Sequence, residues 1–101
     1  MNAVFKALAD PTRREILRLL GDRAMTAGEI ADRFPLAKST LSGHFNVLKA
    51  ADLISAEKRA QTVVYSLNLS VFEEATAAFM ELFRIGARRT RAADRLKEKV
   101  S

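Results

Sequence analysis

Apolar residues recur at helical spacing through most of the chain and switch to strict alternation in one short stretch. The clearest stripe lies within residues 36–54, LAKSTLSGHFNVLKAADLI. There Leu41, Phe45 and Leu48 follow the i, i+4, i+7 pattern of a helix buried on one side. Ser39, Ser42, Gly43, Asn46 and Lys49 fall on the opposite side. That face is small and hydrogen-bonding and lacks carboxylates. It can enter a DNA major groove, where serine, asparagine and lysine meet base edges and phosphates. The pattern fits an ordinary amphipathic surface helix as well, and the flanking segments bear on the choice.

Residues 2–9 place Val4, Phe5 and Leu8 on one face of a short helix. Asp10-Pro11 then predicts a helix start, because Asp is a favoured N-cap and Pro a favoured first helical residue. Ile16, Leu17, Leu19 and Leu20 form the apolar side of this second helix, Arg14 and Arg18 lie opposite, and Gly21 is its expected end. Thr26-Ala27-Gly28-Glu29 reads as a capping box, with Met25 and Ile30 as its hydrophobic staple. The third helix should run through Ile30, Ala31 and Phe34 and stop near Pro35. Two short helices joined by a tight turn, the second with a polar outer face, make a helix-turn-helix.

The period then changes. Residues 54–58 and 62–67 read as strands, with Val63, Tyr65 and Leu67 alternating on one face. Arg59, Ala60 and Gln61 form the hairpin tip, flanked by Lys58. A hairpin directly after such a helix is a wing, and its basic tip suits neighbouring phosphates. Ser70-Val71-Phe72-Glu73 is a second capping box, opening a long last helix. Its stripe of Phe72, Ala75, Thr76, Phe79, Leu82, Phe83 and Gly86 fades beyond Gly86. The expected fold is mainly α with a β-hairpin wing, a winged helix-turn-helix in the order α-α-α-α-β-β-α. Residues 1–86 form the winged-helix binding and dimerisation domain and 87–101 a basic C-terminal extension. Phe72, Phe79 and Phe83 are either internal core or a two-helix dimer seam, and the seam better explains so many large residues.

Composition narrows the chemistry. A chain of 101 residues suits one small domain with a modest core, to which a dimer interface would add burial. The net charge of +5 resides entirely in residues 84–101, which carry seven basic and two acidic side chains. Such a segment is either a polyanion contact or a solvated helix end. There is no cysteine, so thiolate metal sites and cysteine nucleophiles are excluded. The last helix holds Glu73, Glu74, Glu81, Asp94 and Glu98 but no histidine, a poor transition-metal set. The single histidine, His44, lies at the border of the apolar stripe, where it either docks the helix or contacts phosphate. Arg13 and Arg14 could reach a DNA backbone, although Arg13 is equally placed to pair locally. No nucleophile-and-base constellation or Gly-rich phosphate loop is present, so an enzyme is not expected. Neither a signal peptide nor a membrane-spanning run is recognisable, and a cytoplasmic location is expected.

LADPTRREIL, MTAGEIADRF, LAKSTLSGHFNVLKAADLI and a wing ending VVYSLN together resemble the ArsR-type winged-helix repressors of bacteria. The resemblance runs from about residue 3 to residue 86, and MTAGEIA and YSLN look most like the SdpR-type autorepressors. It implies a homodimer joined by the first and last helices, through Val4, Phe5, Leu8, Phe72, Phe79, Leu82 and Phe83. The DNA target would be an imperfect palindrome in a promoter. Carried onto this chain, base reading would fall to Lys38, Ser39, Thr40, Ser42 and Gly43. His44, Lys58, Arg59 and Gln61 would mainly serve phosphates. SdpR-type repressors are usually encoded beside a membrane protein that titrates them, so such a partner is implied too. The chain departs from the family at Ala37, where a capping Ser or Asp is common, at Gly43, commonly Arg or His, and at Asp52, usually Gly. The alternative function is a DNA-packing or protein-interaction module with little sequence preference.

Overall fold

A computed structural model describes residues 2–100, with side chains described for 3–85. Five helices and three strands follow in the order α1 (Asn2–Leu8), α2 (Pro11–Asp22), β1 (Met25–Thr26), α3 (Ala27–Ala31), α4 (Lys38–Ala50), β2 (Ile54–Arg59), β3 (Thr62–Leu67) and α5 (Leu69–Val100). The fold is mainly helical with an antiparallel hairpin wing, as the periodicity predicts. The side chains of the basic segment 87–101 lie outside those described.

Local chemistry sets most of the boundaries. Asp10 caps α2 by accepting from the backbone N–H groups of Thr12 at 2.8 Å and Arg13 at 3.2 Å. The Thr26 capping box is complete, with Glu29 N–H on Thr26 Oγ1 and Thr26 N–H on Glu29 Oε1, both at 3.0 Å. At the end of α4, Leu53 N–H reaches Leu48 O at 3.1 Å and Asp52 N–H reaches Lys49 O at 2.9 Å. This is a Schellman turn, with Asp52 in the left-handed position at φ 58° that glycine usually fills. Leu48 and Leu53, which flank it, are both fully buried.

Three expectations need correction. Gly21 does not end α2, which runs to Asp22 and leaves through extended Arg23. The chain must extend there because Met25 and Thr26 pair with Tyr65 and Val64 as a short first strand. The third helix stops at Ala31, and Arg33 N–H to Ile30 O (3.0 Å) and Phe34 N–H to Ala31 O (3.2 Å) tighten it into a turn before Pro35. The last helix begins at Leu69. Ser70 is not its cap: Ser70 Oγ donates to Asn68 Oδ1 (3.2 Å), and the Asn68 carbonyl takes the first helical N–H, from Phe72 (3.0 Å).

The sheet order is β1-β3-β2, all antiparallel, and Arg59 pairs with Thr62 around a two-residue tip. One face of α2, Ile30 of α3, the Leu41-Phe45-Leu48 stripe of α4, and Leu53, Ile54 and Tyr65 close the core. Replacing a fully buried leucine such as Leu41 or Leu48 by alanine should destabilise it by about 2–5 kcal/mol. No helix among the described residues is long and apolar enough to cross a membrane.

Candidate nucleic-acid interface

Burial of Leu41, Phe45 and Leu48 turns the other side of α4 outward. Lys38, Ser39, Thr40, Ser42, Gly43, Asn46 and Lys49 are all exposed on it. No side chain caps the helix start, where Ala37 stands in extended backbone and its carbonyl receives Leu41 N–H at 3.1 Å. The N–H groups of Lys38, Ser39 and Thr40 therefore point out at the positive end of the helix dipole, beside the Lys38 ammonium. This end of α4 suits an anion, and the rest of the face offers hydroxyl, amide and ammonium groups.

His44 is turned the other way. Its side chain is only 15% exposed and faces the start of α2, with Nδ1 3.2 Å from Arg13 Nη1 and 4.0 Å from Asp10 Oδ1. Arg13 also donates from Nε to Ala7 O (2.9 Å) and from Nη2 to Lys6 O (2.7 Å), while Arg14 Nη1 donates to Leu8 O (2.8 Å). Both arginines thus satisfy carbonyls at the end of α1 that have no partner within the helix. The Asp10 carboxyl is pushed up by burial, but the N–H groups of Arg13 and Thr12, with the nearby Arg13 charge, hold it below its ordinary value.

The wing presents Lys58, Arg59, Ala60 and Gln61, all exposed. Arg59 pairs with Glu57 at 3.3 Å, and in water that pair is weak enough for phosphate to displace. At the base of the wing, Tyr65 stacks on Phe45 of α4 with ring centroids 4.3 Å apart and an angle of 26°. This contact sets the hairpin against the exposed helix, and burial pushes the Tyr65 hydroxyl pKa up.

The helices expected to form a dimer seam lie together. Phe5 of α1 meets Phe79 of α5 edge-on, with centroids 4.9 Å apart. Phe72 and Phe79 are half-buried along with Val4 and Leu8. Leu82 and Phe83 are exposed, Phe83 by 71%. Periodicity missed three further exposed apolar residues of α5, Leu69, Met80 and Ile85, which lie off the counted stripe. An apolar concavity of about 420 Å³ opens among Leu8, Leu17, Leu67, Phe72, Thr76 and Phe79.

The helix-turn-helix domain family matches residues 8–55. The transcriptional repressor SdpR of Bacillus subtilis is 50% identical over 74 residues, covering 73% of this chain and 82% of its own. Among solved structures, an ArsR family transcriptional regulator superimposes with a TM-score of 0.75 at 28% identity, over 85% of this chain and 89% of that one. HlyU from Vibrio cholerae superimposes with a TM-score of 0.66 at 35% identity, over 82% and 87%. With its folded core, wing and helix-turn-helix matched to these proteins, the chain belongs to the ArsR family of winged-helix transcriptional regulators.

Proposed function

We propose that the chain is a homodimeric, autoregulatory repressor that binds an imperfect palindrome in a promoter. Lys38, Ser39, Thr40, Ser42 and Gly43 read bases, and Lys58, Arg59 and Gln61 of the wing hold phosphates. The observation that carries this reading is the exposed, carboxylate-free face of α4, held outward by three buried anchors. In a C2 dimer, two such helices would face successive major-groove segments, which accounts for a palindromic target. The half-buried His44, engaged with Arg13 and Asp10, docks the helix in this reading. A direct phosphate contact from it would require that engagement to break.

Release from DNA falls to a protein competitor, such as a membrane partner exposing a domain that covers the reading face. The chain has no cysteine and one histidine, and no group of three or more His, Cys, Asp or Glu residues able to hold a metal occurs among the described residues. This reading assigns the signal to something other than a transition metal or thiol oxidation, and the lack of cysteine and of a second histidine supports it.

The direct experiment is to measure binding to the DNA upstream of the chain's own gene as salt is varied. Specific binding should exceed binding to random duplex by at least about 10³-fold. Lys58→Ala with Arg59→Ala should reduce the salt slope by roughly 2, about 1 for each lost phosphate contact. Equal affinity for every sequence would favour the packing-module reading, for which the basic excess of 84–101 is the supporting feature. Zinc, arsenite or peroxide shifting affinity more than about tenfold would rule out the proposed signal.

A further inference from the structure

Gly43 sits in the middle of α4, where glycine is the least favourable residue after proline. Glycines are kept in helices for a left-handed backbone, for close packing, or for contact with something outside the chain. The first two reasons are absent here. Gly43 does not have positive φ, and a Cβ built on it meets no atom within 4 Å. The residue is exposed on the face that also presents Ser39, Ser42 and Asn46, all with short side chains. Lysines stand only towards the ends, at Lys38 and Lys49.

We propose that Gly43 is the point of closest approach between α4 and DNA, and that its missing side chain selects the base pair accepted there. This rests on the reading of α4 as the DNA-reading helix. With no Cβ, the helix backbone itself meets the groove floor at residue 43. The short neighbours do not hold it off, and the terminal lysines remain long enough to reach phosphates. A base edge that projects into the groove, such as a thymine methyl, fits this notch and collides with any larger residue. Specificity at this pair arises from space rather than from a hydrogen bond.

The test uses the full chain, Gly43→Ala, and a duplex selected from a random library by the wild-type protein. The alanine has open space in the free protein, so the variant should melt higher than wild type, by a few degrees. Its affinity for the selected duplex should nevertheless fall more than about threefold, and by more than its affinity for random duplex falls. Selection repeated with the variant should return a changed preference at one base pair of each half-site and the same preferences elsewhere. A variant that binds the selected duplex like wild type overturns the proposal. So does one that loses random and selected duplex equally, or one that melts lower than wild type. If the wild type itself selects no sequence, the repressor reading fails first and this inference falls with it. If the wild type selects a sequence that Gly43→Ala binds equally well, only the inference fails.

Discussion

Arg13 Nη1 lies 3.2 Å from His44 Nδ1, a contact across 31 positions of sequence that joins α2 to the helix carrying the candidate reading face. Arginine is always a donor, so Nδ1 is the acceptor in this contact. The same guanidinium holds the Lys6 and Ala7 carbonyls, so one side chain ties α1, α2 and α4 together. A lysine has a single ammonium and cannot span three acceptors in different directions. Arg13→Lys should therefore lower stability by about 1–2 kcal/mol in urea unfolding. An unchanged midpoint would mean the clamp contributes nothing beyond solvent-exposed contacts.

Among the described residues, two other than glycine hold left-handed backbone, Asp52 at φ 58° and Ala60 at φ 55°. Asp tolerates this conformation better than Ala does, because its short polar side chain can bond locally. Ala60 has no such compensation and stands at the exposed wing tip. Ala60→Gly should raise stability by about 0.5–1 kcal/mol, and Asp52→Gly by less. Thermal melts of the two single variants check the order, and a destabilised Ala60→Gly would contradict it.

What could be read from the chain alone follows from how far apart the interacting residues stand. The Asp10 cap and the Thr26–Glu29 box involve partners no more than three residues away, and both form as their spacing predicts. The Leu41-Phe45-Leu48 stripe is likewise local and faces inward. Ser70 had the same local signature, but a distant contact overrides it. Asn68 N–H is held by Leu53 O at 2.9 Å, which fixes residue 68 at the end of β3 and lets the helix begin at once. The pairing of Met25 with Tyr65 and the Arg13–His44 contact also depend on long-range geometry that periodicity does not carry. For the candidate site, the outward placement of Ser39, Ser42, Gly43, Asn46 and Lys49 was legible, whereas the inward turn of His44 needed the position of Arg13.

Acid should unfold the protein partly through Asp10. Its carboxyl titrates lower in the folded state than in the unfolded chain, so the folded state binds fewer protons as pH falls. The stabilisation is complete above the unfolded value of about 3.9 and is lost as pH drops through the lower folded value. Glu29, held down by Thr26 N–H and Arg23, and Glu15, held down by Arg18, act in the same direction. Asp10→Asn keeps a capping oxygen but removes one titrating group, so its acid limb should be shallower than wild type below about pH 4. Melting curves that fall equally steeply for both proteins would exclude Asp10 as a contributor.

Variants at Phe79 and Phe83 would separate folding from the proposed dimerisation. Phe79 touches Phe5 within one chain, whereas Phe83 is 71% exposed and has ample room for a partner. Phe83→Glu leaves the monomer core untouched, so it should change the stability of the isolated fold by no more than about 0.5 kcal/mol. In a seam it would bury a carboxylate against apolar residues, a penalty of several kcal/mol that drives the dimer apart. Phe79→Glu should do both, loosening α1 from α5 through loss of the edge-on pair, itself about 0.5–1.5 kcal/mol. Sedimentation should show monomers for each variant, with a lowered melting temperature for dilute protein only in Phe79→Glu. A Phe83→Glu protein that stays dimeric and binds promoter DNA as tightly as wild type would place the seam elsewhere. The exposed Met80, Leu82 and Ile85 would then need another partner.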